Sequence, residues 1–183
     1  MNAKKQTATQ HLFTNKQLRT LLVPIMVEQL LSSLMGTADT MMVSNVGSAA
    51  ISAVSLVDAI NILVIQALSA LAAGGAILCS QYLGSQNLKK AKRSAEQVLF
   101  VMLVLSCSLS LLCLIFRFPL LRLIFGTVDA DVMANSQIYF FFTLLSFPFI
   151  GLYDAGASIL RAQNNTKGPM TISILSNFLN IGG

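Results

Sequence analysis

LLVPIMVEQLLSSLMGTADTMMVSNV, residues 21–46, decides the fold. It exceeds the roughly 20 apolar residues that cross a hydrocarbon core. It is also much longer than the roughly 7–15 residues of a signal-peptide core. The run therefore reads as a permanent transmembrane helix. Glu28 and Asp39 lie inside it, where no water shares the cost of a charge, and intramembrane carboxylates are the first candidates for function.

The rest of the chain repeats the pattern. Of 183 residues, 55% are hydrophobic and 10% charged, against about a quarter charged in a soluble domain; mean hydropathy is +0.72. So few charges cannot clothe a globule, and the class is membrane protein. Further apolar segments run over approximately 49–82, 98–116, 138–160 and from 170 to 183. No alternating strand pattern occurs, which leaves helices that satisfy their own backbone groups. The fold class is thus all-α and polytopic, with five transmembrane helices. The second segment is too long for a minimal crossing, so it tilts, extends beyond the bilayer, or bends at Gly74–Gly75. Pro148 predicts a bend in the fourth.

The net charge of +5 does not mark a nucleic-acid surface, because the cations sit in short segments between apolar runs. Ten of the twelve Lys and Arg fall on one side (Lys4, Lys5, Lys16, Arg19; Lys89, Lys90, Lys92, Arg93; Arg161, Lys167), against Arg117 and Arg122. That asymmetry puts the N-terminus in the cytoplasm. Cys79, Cys107 and Cys113 all lie in apolar runs and read as small buried side chains. His11 is alone in the N-terminal tail. No nucleotide-binding glycine loop, HExxH or GxSxG is present.

Glu28 and Asp39 are eleven residues apart, which at about 100° per residue returns to within roughly 20° of one face. Ser32 falls on the same stripe. This polar line must face protein or water, and Gly36 beside it permits close approach of a backbone or local bending. Asp58 reads as a hydrated residue at the outer end of the second helix. Asp154 reads as a residue near the cytoplasmic surface, with Arg161 to neutralise it. From Met170 to Gly183 the chain has about 21 Å of helix at roughly 1.5 Å per residue, against a core of about 30 Å. This predicts a piece of a longer protein.

With these residues on helices, the whole chain resembles the multidrug and toxic compound extrusion (MATE) family. The resemblance rests on LLVPIMVEQLLSSLMGTADTMMVSNVG, on GGAILCSQYLGSQNLKKAKR and on LRAQNNTKGPM. It implies one six-helix lobe, incomplete here, of a twelve-helix transporter whose C-terminal lobe is missing. It also implies a drug antiporter driven by protons or sodium, without a cofactor, in the plasma membrane of a bacterium. Its partners would be the lipid bilayer and small cationic amphiphiles. The coupling role carries over to Asp39, with Asn180 beside it; sodium, if it couples, would bind there. Glu28 and Ser32 support that site, and Pro24, with Gly36, is where the first helix bends. Three other readings compete. A lipid-linked oligosaccharide flippase should have a basic cavity, yet no Lys or Arg lies inside segments 1, 2 or 4. An intramembrane aspartyl protease would use Tyr153–Asp154 and the 36–39 GTAD, in reversed order. A truncated product would be inactive alone.

Overall fold

The computed structural model describes residues 15–44 and 47–182, with the side chains at 17, 39, 42 and 180–182 outside that description. Lys4, Lys5, His11 and the 45–46 end of the first segment also lie outside the described residues. The described chain forms six helices: α1 (Asn15–Ser44), α2 (Ser48–Gly84), α3 (Leu88–Ile115), α4 (Arg117–Phe125), α5 (Ala130–Ala162) and α6 (Lys167–Gly182). Four of them (α1, α2, α3 and α5) are long and apolar enough to cross a membrane. α6 spans 16 residues, short of the roughly 20 that a crossing needs.

α2, α3 and α5 form the core, and α1 pairs with α6 alongside it. The buried stripe of α2 (Ala53, Val57, Asn61, Val64, Leu68, Ala72, Ala76) recurs every three to four residues along one face. α5 answers with Phe140, Leu144, Phe147, Gly151 and Ala155. Side-chain contacts fix the directions. Asp58 meets Tyr139 and Ser69 meets Asp154, so α2 and α5 run parallel. Ser110 meets Leu144, while Ser106 lies against Gly151, so α3 runs opposite to α5. A Cβ on Gly151 would come within 2.8 Å of Ser106 Cβ, and only glycine permits that approach. The outward faces carry large apolar side chains such as Leu63, Phe149 and Phe178, as a lipid-facing surface requires.

Several expectations are corrected. The basic stretch read as a loop after the second segment is mostly the first two turns of α3, started by the Asn87 side chain accepting from Lys90 N at 3.1 Å. α4 was not anticipated; it packs against α5, and Gly126 ends it at φ +62°. α5 starts at Ala130 rather than 138, whereas α2, at 37 residues, is as overlong as the sequence implies. Cys79 and Cys113 are buried as expected, but Cys107 is exposed.

Both mid-helix prolines have their orphaned carbonyls satisfied. Proline lacks the N–H that would bond the carbonyl four residues earlier. For Pro148 that carbonyl is Leu144 O, which accepts from Ser110 Oγ of α3 at 2.6 Å. For Pro24 it is Thr20 O, which accepts from Thr166 Oγ1 at 3.4 Å.

Candidate functional site

Pro24 and Glu28 are the buried residues on the described face of α1, one helical turn apart. Glu28 is only 4% exposed. Its Oε1 accepts from Arg161 Nη2 at 2.6 Å and from the Tyr153 hydroxyl at 3.1 Å. Tyr153 has one hydroxyl proton, so its 3.2 Å contact with Ser173 Oγ is donated by the serine. Asn177, one turn further along α6, donates to Ser173 O at 2.9 Å. A single polar chain therefore ties α1, α5 and α6 together inside the apolar bundle.

The chain is unsaturated. Glu28 Oε2 and Arg161 Nε are both buried without a partner. A guanidinium can grip a carboxylate at two points, and here it holds only one. Next to this junction lies a cavity of about 360 Å³, lined by Ser32 and Met35 of α1, Tyr153 of α5, and Ser173 and Asn177 of α6. Ser32 thus lies beside the same junction as Glu28, as their shared stripe predicts.

Two carboxylates behave otherwise than the sequence implied. Arg161 bonds Glu28 rather than Asp154; Asp154 accepts from Ser69 of α2 at 2.5 Å. Adjacent residues of α5 thereby reach different neighbours, Tyr153 toward α1 and α6, Asp154 toward α2. Asp58 is half-buried and accepts from Asn61 at 3.2 Å and from Tyr139 of α5 at 3.1 Å, so it is tied into the bundle rather than simply hydrated.

Asp39 and Asn180 lie on α1 and α6, and their side chains lie outside the described residues, as does any sodium site they would form. Among the described residues no group of three or more His, Cys, Asp or Glu gathers to hold a metal ion. A Cβ on Gly36 would meet nothing within 4 Å among them. The reversed aspartyl-protease arrangement is disfavoured by depth. Tyr153 meets α1 at Glu28, about 16 Å of helical rise below Asp39.

The sequence did not single out Ser69, Ser173 or Asn177, and it named Tyr153 only as half of a protease motif. Ser173 and Asn177 repeat on α6 the four-residue spacing of Glu28 and Ser32 on α1, and that shared period was the available signal.

The MatE family model matches residues 24–183. The uncharacterized transporter YisQ of Bacillus subtilis is 32% identical over 161 residues, covering 87% of this chain and 35% of that protein. The probable multidrug resistance protein NorM of Thermotoga maritima is 26% identical, covering 91% and 35%. Among solved structures, a MOP superfamily transporter from Pyrococcus furiosus superposes with a TM-score of 0.83 at 24% identity, covering 91% of this chain and 36% of that one. The chain spans about a third of the length of the relatives it matches.

Proposed function

This chain belongs to the MatE family, and from that membership we propose that it supplies first-lobe helices of a cation-coupled antiporter that exports drugs and other toxic organic compounds by alternating access. The coupling ion is a proton or sodium. Asp39 of α1 carries the charge that the ion changes, with Asn180 of α6 beside it and Glu28 and Ser32 below it on α1. The chain lies in a cell membrane with its N-terminus in the cytoplasm. In support, the described cations at the start of α1, the α2–α3 turn and the α5–α6 turn all fall at one end of the bundle. The substrate class follows the relatives, NorM among them, that carry multidrug resistance in their names.

The observation that carries this reading is the half-satisfied Glu28 carboxylate beside the cavity between α1, α5 and α6. A buried carboxylate with one free oxygen responds to any change in local charge, because no solvent screens it. Such a change has a pliable helix to act upon. Pro24 interrupts the α1 ladder, and the Thr37 and Thr40 hydroxyls bond back to Ser33 O and Gly36 O at 3.0 and 2.9 Å, a pattern that bends helices slightly. A ligand or ion biases two states only through unequal interaction with them, and α1 is the element both would feel.

The test is dye efflux from energised vesicles bearing the transporter at full length, with dye binding measured separately by fluorescence. Asp39→Asn keeps the shape and removes the switchable charge. Binding should survive within several-fold while gradient-driven efflux collapses. Normal efflux by Asp39→Asn would end the coupling assignment.

A further inference from the structure

We propose that the groove between α2 and α3 binds one anionic glycerophospholipid, with its phosphate at Lys90 and Arg93 and an acyl chain between Leu71, Leu78, Val101 and Leu105. A Cβ on Gly75 would come within 2.5 Å of Val98 Cγ2, so the two helices nearly touch there. Beside this contact they leave a groove of about 240 Å³, with apolar walls and the buried Met102 beneath.

The groove has two unlike ends. Toward the membrane interior it is apolar. Toward the α2–α3 turn it acquires Ser94 and Gln97, and Gln97 and Val101 also line an adjoining recess with Arg93 and Glu96. Lys90, a turn before Ser94, lies 6.0 Å over the Tyr82 ring. Residues 88–97 carry Lys89, Lys90, Lys92 and Arg93 against Glu96 alone. Lys92 already lies 3.9 Å from Glu96. Among the described residues, no carboxylate lies within salt-bridge distance of Lys90 or Arg93.

Length agrees with this polarity. Arg93 to Leu105 is about 18 Å of helical rise, close to half of the roughly 30 Å hydrocarbon core. A ligand filling the groove is anionic at the interface and apolar for one leaflet's depth. A free phosphate has no use for the apolar walls, and an apolar helix has none for the uncompensated cations. A phospholipid uses both.

The protein, at the full length its gene encodes, is purified from an equimolar mixture of phosphatidylglycerol and phosphatidylcholine and weighed by native mass spectrometry. Phosphatidylglycerol should be retained preferentially, and excess glycerol phosphate should not displace it. A cation near an anionic surface contributes roughly fivefold in affinity, so Lys90→Gln with Arg93→Gln should cut phosphatidylglycerol retention on the order of twentyfold while elution stays monodisperse. Both side chains are exposed, so their loss leaves packing intact. Lys90→Arg should retain the lipid, and Val101→Phe, which fills the groove, should expel it. Any of four results would overturn the proposal: equal retention of both lipids, an unchanged preference in the double glutamine variant, displacement by glycerol phosphate, or lipid-free protein whose groove is sealed in a dimer.

Discussion

Glu28 and Arg161 touch at one point and leave one buried atom each without a partner. Removing a single member of a buried ion pair strands the other, at a cost of about 3–5 kcal/mol, whereas removing both is far milder. Arg161 is 32% exposed, so water can reach it when Glu28 is gone. Glu28→Gln should therefore destabilise toward the low end of that range, Arg161→Gln should do more damage, and the double variant should lose much less than the sum. Thermal unfolding of the four proteins in detergent checks this; additive losses would mean that the pair is not coupled. The neighbouring glycines of α2 make an opposite-signed pair. A Cβ on Gly74 meets nothing within 4 Å, but one on Gly75 overlaps Val98. Gly74→Ala should be neutral or stabilise by up to about 1 kcal/mol. Gly75→Ala should destabilise by about 1–3 kcal/mol, with Val98→Ala relieving the overlap. The same melting series reads both.

At the scale of helices, the device to test is the hydroxyl that completes a proline-broken ladder. Ser110→Ala strands Leu144 O, and interhelical hydrogen bonds in membranes contribute on the order of 0.5–2 kcal/mol. In a Pro148→Ala background residue 148 regains its N–H, and Leu144 O has a partner within α5. Ser110→Ala should then be close to silent. An equal loss in both backgrounds would show that Ser110 acts by packing instead. Thr166 and Thr20 repeat the arrangement at Pro24 with a longer contact, so Thr166→Ala should follow the same rule with a smaller amplitude.

At the scale of the whole molecule, parallel α2 and α5 with an opposed α3 require that the α2–α3 and α5–α6 turns share one end. With the described cations gathered there, cysteine placed at Asp129 should react with an impermeant reagent from outside, and cysteine at Lys90 should not. The reverse pattern would invert the topology. The native Cys107, exposed on α3, should label only with a membrane-permeant thiol reagent, while Cys79 and Cys113 resist both; the labelling background must be set against that.

What the sequence determined by itself is whatever depends on local composition and the solvent. A hydrocarbon core admits only backbones that bond to themselves, so apolar runs of sufficient length had to become helices, and the MATE resemblance rested on motifs in them and in the turns between them. The buried face of α1 at Glu28 was legible because helical period is a local property. Tertiary structure alone decided the partners. Arg161 is 133 residues from Glu28, and Asp154, seven residues earlier on α5, offered an equally plausible acceptor. Only the assembled bundle, with α1 packed on α6 and α2, brought Glu28 to Arg161 and left Asp154 to Ser69. The same holds for α4 and the basic start of α3. An apolarity window misses helices that are short or charged, because what stabilises them is contact with α5 and a cap at Asn87 rather than transfer into lipid.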